Sequence, residues 1–292
     1  MKGFYFIAFS SILLLFSSCA QKSEGWVSLM DKDLSQWRIY QSYAFPEQFT
    51  GQRPVDAEGQ TIPPIGYDKN EQNVFSMIEE DGVPVLHISG ETYGCVFTKQ
   101  DYKDYHFRLK TRFGTKRSNP RTDKALDSGI LYHSQGEAGV DYWYSWMRAL
   151  EFQVMDGGTD EGVSGDFWSV AGTSADIRAT KTDKGYFYDP EGELLTFGAN
   201  GVASQCRAAD YTSPTHEWTT MELICYQGKS LYIVNGHVAM ALQNLRYRDG
   251  EKDIPLTEGK IQLQSEGGEV YYKDAEIKPI SGVPAEYAKY FN

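Results

Sequence analysis

Ala149-Leu150-Glu151-Phe152-Gln153-Val154-Met155-Asp156 changes side-chain character at almost every step. Leu150, Phe152 and Val154 fall on one side of an extended chain, and Glu151, Gln153 and Met155 on the other. That period of two predicts a strand with one face in a core and one face available for chemistry. The pattern spreads outward in both directions. Upstream, Asp127-Ser128-Gly129-Ile130-Leu131-Tyr132-His133 predicts a neighbouring strand over 128–133. Downstream, Gly259-Lys260-Ile261-Gln262-Leu263-Gln264-Ser265-Glu266 repeats the geometry, with Ile261 and Leu263 on one face and Gln262 and Gln264 on the other. Further alternating runs lie at 26–29, 74–78, 85–88, 94–97, 105–113, 219–225, 231–234, 237–242 and 270–278, separated by Gly, Asp and Asn. Asn235-Gly236 is a strong two-residue hairpin signal, and Gln227-Gly228-Lys229 predicts a three-residue hairpin loop just before it. About a dozen strands with no helices between them imply one all-β sandwich of two antiparallel sheets. With no Ser/Pro-rich linker to divide it, the domain runs from 25 to 281, and 282–292 is left as a C-terminal tail, its residues 284–292 open to a short helical turn.

Three long insertions interrupt the strands, at 46–70, 114–126 and 157–210. The first is rich in Pro, Gly and Tyr, the second carries Lys116, Arg117, Arg121 and Lys124, and the third carries Trp168 and Arg178. All three fit walls of a binding site at one rim, and the aromatic residues of the first and third argue against disorder.

The N-terminus addresses the compartment. Lys2 precedes an apolar run from Phe4 to Phe16, then Ser17, Ser18 and Cys19. The run is too short for a permanent transmembrane helix. Its ending resembles a bacterial lipobox, which implies a signal peptide over 1–18, acylation of Cys19 and a short tether over 19–24. The expected location is the cell envelope, periplasmic or outer-membrane, with the lipid bilayer as a partner through that anchor. The net charge of −12, with no basic stripe, argues against a nucleic-acid partner. Cys95, Cys206 and Cys225 lack the spacing of a zinc site or a disulfide framework; they leave room for one bridge and read best as buried thiols.

The residues that carry chemistry cluster around the opening stretch. Glu151 is a candidate base, Gln153 a partner for polyol hydroxyls, and Asp156 a carboxylate reaching over the rim. His133 is a second candidate base or metal ligand. Trp143, Tyr144 and Trp168 are candidate platforms for the apolar faces of sugar rings. Gln264 and Glu266 repeat the polar face near the C-terminus. No nucleophile elbow, phosphate loop, dinucleotide fingerprint or H-E-x-x-H appears. A divalent cation held by carboxylates, an amide and one His is a possible cofactor.

These features together resemble a known family. Gly25-Trp26 through Leu34-Ser35-Gln36-Trp37, Asp127-Ser128-Gly129-Ile130, Glu151-x-Gln153-x-x-Asp156, Glu217-Trp218 with Asn235-Gly236, Gly259-x-Ile261-x-Leu263-Gln264, and Val270-x-Tyr272-x-Asp274-x-Glu276-Ile277 occur in the order of the 3-keto-disaccharide hydrolase family. The resemblance implies a concanavalin-A-like jelly roll and cleavage of glycosides oxidised at position 3, with the functional weight on Glu151, Gln153 and Asp156. The sequence departs from the family at Asp127, where Asn is usual, and at His133. Laminarinase-type enzymes place Glu-x-Asp-x-Glu on the equivalent strand; here Gln153 and Met155 replace the second and third acids, so the usual two-carboxylate pair is missing from it. A 3-ketone removes the need for that pair, because it acidifies the neighbouring C2–H and opens an elimination route followed by hydration. Two other functions fit the same residues: a non-catalytic carbohydrate-binding envelope lipoprotein, and a structural envelope module.

Overall fold

The computed structural model describes residues 25–157 and 161–291. Cys19, the signal segment and the tether lie outside the described residues. The chain is 53% strand and 4% helix. It is a concanavalin-A-like jelly roll, in which a twelve-stranded antiparallel sheet packs on a nine-stranded one among the described residues.

The nine-stranded sheet positions the candidate site. Its order is Gln205–Cys206, Phe167–Val170, Arg148–Met155, Asp127–Gln135, Glu258–Ser265, Gly94–Thr98, Trp37–Gln41, Gly66–Tyr67, with Tyr102–Lys103 pairing off the path. The strand of the opening stretch is therefore central, flanked by Asp127–Gln135 and Phe167–Val170. Leu150, Phe152 and Val154 point into the interior with Ile130, Tyr132, Ile261 and Leu263. From the facing sheet they meet Leu223, Tyr232, Met240 and Tyr272. Phe152 stacks on Tyr232 with ring centroids 4.3 Å apart and planes 10° from parallel. The Tyr232 hydroxyl donates to Tyr132 Oη at 3.0 Å and reaches the Glu151 carbonyl at 3.1 Å. Apolar packing and a buried hydroxyl chain thus join the sheets directly beneath Glu151.

On the other face of the nine-stranded sheet a second apolar cluster forms, from Tyr40, Tyr43, Phe45, Tyr93, Phe97, Leu131 and Trp146. The first insertion and the 136–147 connection supply much of it.

Two expectations need correction, and one alternative is resolved. The 157–210 insertion is largely strand: Phe167–Val170, Thr173–Thr182, Gly185–Tyr188 and Glu193–Gly198. Thr173–Thr182 belongs to the large sheet, and its alternation is muted because Ala175 and Ala179 occupy inward positions where strands favour branched residues. The first hairpin turn has two residues, since Tyr226 pairs with Lys229. Gln227 and Gly228 both take positive φ (46° and 73°), as Asn235 and Gly236 do (49° and 79°). The expected tail contains a 3-10 helix, Ala285–Phe291, whose Tyr287, Tyr290 and Phe291 pack on Ile224, Leu231, Ile233 and Ala241. Cys95, Cys206 and Cys225 are free, buried thiols.

Candidate functional site

Strand alternation sends Glu151, Gln153 and Met155 to the face opposite the core. Cross-strand register completes a row on that face: Glu151 pairs with Trp168, Gln153 with Gly129, and Met155 with Asp127. A cavity of about 580 Å³ opens over this row. Glu151, Gln153, Met155 and Trp168 line it, together with Asp127, Glu266, Trp143, Trp146, Arg121 and Glu161. Gly129 creates the space at its floor. A Cβ there would lie 2.3 Å from Gln264 Oε1 and 2.4 Å from Glu151 Oε1. Only glycine lets these two side chains meet across the strand.

The aromatic wall is held by a turn. Asp141 accepts hydrogen bonds from the backbone N–H groups of Trp143, Ser145 and Trp146 at 2.7–2.8 Å. Trp146 Nε1 donates to the Gly94 carbonyl at 2.8 Å, so its ring is fixed. Trp143 stacks on Phe49, with centroids 4.5 Å apart and planes 21° from parallel.

The polar floor is crowded with carboxyls. Asp127 and Gln153 are each 4% exposed, Glu151 6% and Glu266 7%. One guanidinium is paired among them: Arg121 Nη2 lies 2.7 Å from Asp127 Oδ2 and 3.7 Å from Glu161. Gln153 Nε2 donates to Asp127 Oδ1. Burial, reinforced by the Asp127 charge, pushes Glu151 well above the usual carboxylate range, and the adjacent Gln264 amide partly offsets this. Burial and Asp127 likewise raise Glu266, with Arg121 opposing. Asp127 itself is pushed up to about 7 by burial, against the pull of Arg121. Three acids with so little compensating charge cannot all ionise at neutral pH. At least one carboxyl of the floor therefore keeps its proton at neutral pH, as a general acid must.

The sequence-derived candidates divide. Glu151, Gln153, Glu266, Trp143 and Trp168 meet at the cavity. Gln264 sits beside Glu151 beneath it, with neither amide atom in a well-formed hydrogen bond. Tyr144 does not line the cavity; its hydroxyl donates to the Gly51 carbonyl at 2.9 Å and Arg53 lies over its ring, so it braces the first insertion. Asp156 lies past the strand end, where Thr215 donates to it at 2.8 Å, away from the cavity. His133 is turned the opposite way. Its strand carries one extra residue relative to both neighbours at this point, and His133 takes φ 50°. That bulge breaks the alternation. The imidazole enters the interior edge-on to Tyr105 and Tyr132, and its Nδ1 lies 3.2 Å from the Leu256 carbonyl. Burial lowers its pKa to about 4.

Sequence reasoning placed Arg121 on an insertion read as a site wall and Asp127 within a family motif, giving neither a role, and it missed Glu161. Asp127 had a signal, because it lies two residues before Gly129 and shares its face. Arg121 and Glu161 come from loops, where no period predicts direction. Among the described residues no group of three or more His, Cys, Asp and Glu side chains is arranged to hold a metal ion.

Comparison with known proteins adds a family. Residues 25–278 match the model of the 3-keto-alpha-glucoside-1,2-lyase-like domain. No curated protein matches. Two solved structures from Parabacteroides distasonis, provisionally described as glycosyl hydrolases, are similar at 15% and 19% identity. They cover 87% and 88% of this chain and 99% and 95% of their own, with TM-scores of 0.46 and 0.47. A carbohydrate-binding module from Bacillus subtilis is similar at 7% identity, over 70% of this chain and 91% of its own, with a TM-score of 0.37.

Proposed function

This chain belongs to the 3-keto-alpha-glucoside-1,2-lyase-like family, and from that premise we propose that it cleaves the glycosidic bond of 3-keto-disaccharides or related 3-keto-glycosides by elimination, with hydration of the product as a second step. Membership makes a carbohydrate-active protein. The observation that carries the finer reading is the carboxyl cluster under the aromatic wall.

The chemistry follows from the ketone. An ionised carboxylate at Glu151 removes the C2 proton, and the C2–H electrons pass into a C2–C3 enolate. As the C3 carbonyl reforms, those electrons make a C1–C2 double bond and the C1–O bond breaks. The departing oxygen takes a proton from Glu266, whose pKa burial and Asp127 raise. Water then adds across the double bond. Raising Glu151 makes it a stronger base in its ionised form. Trp143 and Trp168 support the sugar rings through their apolar faces. The ketone, and not a second carboxylate on the strand, supplies the activation, which fits a strand carrying Glu151, Gln153 and Met155 where laminarinase-type enzymes carry three acids.

The test is release of the leaving sugar from a 3-keto-disaccharide, with and without a chelator, by wild type and Glu151→Gln. We expect a loss of about 10²–10⁴-fold in kcat for the variant. Full activity in Glu151→Gln removes its catalytic role. A wild type that binds the sugar and never turns it over is a carbohydrate-binding protein instead.

A further inference from the structure

Gln153 is nine-tenths buried and lines the cavity, yet an amide has two different ends. Its NH2 donates and its carbonyl accepts. Which end meets the sugar decides what the sugar must offer. Asp127 settles the orientation. It is 4% exposed, and its Oδ2 is held by Arg121 Nη2 at 2.7 Å. Its Oδ1 accepts from Gln153 Nε2. Above about pH 7 Asp127 is ionised and has no hydrogen to give, so the NH2 end must face it. Gln153 Oε1 is left to the cavity.

We propose that Asp127 is a positioning residue that presents the Gln153 carbonyl oxygen to the substrate, so that the site selects a sugar bearing a hydroxyl donor at that point. Substrate identity here rests on the 3-keto-glycoside reading; the orientation of the amide does not. Arg121 makes the choice of acid over amide at this position consequential. A carboxylate offers one oxygen to Arg121 and one to Gln153. An asparagine offers a single oxygen to two donors. The guanidinium is always charged and never accepts, so it takes that oxygen. The Asn NH2 then faces Gln153, the amide turns over, and an NH2 points at the substrate hydroxyl.

The experiment measures binding and turnover separately on the purified chain, with 3-keto-trehalose and non-oxidised trehalose as probes. Asp127→Asn should bind about ten-fold more weakly or worse. Gln153→Met should lose a similar factor, and the double variant should lose no more than Gln153→Met alone. Losses that multiply in the double variant, or an Asp127→Asn protein that binds like wild type, overturn the proposal. Should Asp127→Asn not fold, the pH dependence of binding supplies the answer. Asp127 takes a proton as pH falls through about 7, and its O–H then meets the Gln153 carbonyl and turns the amide over. Wild type should therefore bind about ten-fold more weakly at pH 5.5 than at pH 8.5, a loss that Gln153→Met should not show, although both carry Arg121, Glu151, Glu161 and Glu266 around the pair. An equal pH dependence in wild type and Gln153→Met overturns the proposal. Binding that follows this pattern without any turnover removes the elimination reading and keeps the positioning one. Turnover without Asp127–Gln153 coupling does the reverse, and a wild type that binds neither probe removes both.

Discussion

Glu151 and His133 were read from neighbouring strands as two candidate bases, and their surroundings now give them opposite titration behaviour. Glu151 is raised above its ordinary value of 4.5 by burial and by Asp127. The folded state therefore holds a proton that the unfolded chain releases. Its contribution to stability is whole below pH 4.5 and declines as pH rises toward the folded pKa. Glu151→Gln removes that titration, so its stability relative to wild type should increase between pH 5 and pH 8. Urea unfolding at the two pH values measures this, and an unchanged difference would count against the assignment. His133 runs the other way. Its pKa falls from 6.5 to about 4, because the interior disfavours the charged ring. Its contribution is present above pH 6.5 and lost as pH falls toward 4. His133→Asn suits the left-handed backbone. It should flatten this part of the stability profile, cost about 1–3 kcal/mol at pH 7 through lost packing, and leave the KM for the sugar unchanged. A large rise in KM would return His133 to the site.

At the scale of elements, docking of the C-terminal 3-10 helix is the clearest test of what the strands leave uncovered. Ile224, Leu231 and Ile233 are almost fully buried on the outer face of the large sheet, partly by Tyr287, Tyr290 and Phe291. Removing residues 282–292 should lower stability by roughly 1.5–3 kcal/mol, about one buried side chain. The bared patch should also promote concentration-dependent association, which sedimentation would detect. An unchanged melting point would show that the helix only rests there. The sequence left a short helical turn and a tail as equal readings of 284–292, because a helix this short draws its stability from the surface beneath it. The central strands were legible because half-buried sheets impose a period of two, and Leu150, Phe152 and Val154 keep it without interruption. Thr173–Thr182 was not, because small residues at inward positions mute the contrast. His133 shows the other limit. A bulge adds one residue and reverses every later assignment of faces, and nothing in Leu131-Tyr132-His133 announces it. Asp127 and Gly129 lie before the bulge, so the same alternation carries them correctly onto the cavity floor.

For the whole molecule, the arrangement separates a structural interface from a chemical surface by the thickness of one strand. We propose that this unit hangs from the envelope by an acylated Cys19, on the strength of the lipobox-like Ser17-Ser18-Cys19; Cys19→Ala should then release the protein from the detergent phase or leave its precursor uncleaved, and unchanged partitioning would refute the anchor. The domain itself depends on contact between the sheets, and Phe152 lies at the centre of that contact. It is fully buried, stacked on Tyr232, and flanked in sequence by Glu151 and Gln153. Removing its ring leaves a cavity that the sheets on either side are too constrained to fill. Phe152→Ala should therefore cost about 3–5 kcal/mol. Its side chain faces away from the sugar, so the folded fraction should keep the KM of wild type and most of its kcat. Glu151→Gln, one residue away, should show the converse: a folded protein with little turnover. Unfolding midpoints and steady-state kinetics on the two purified variants separate these effects. A Phe152→Ala protein that keeps its midpoint but loses its KM would mean that the strand lies the other way up, with Glu151 serving the interior and the cavity reading lost.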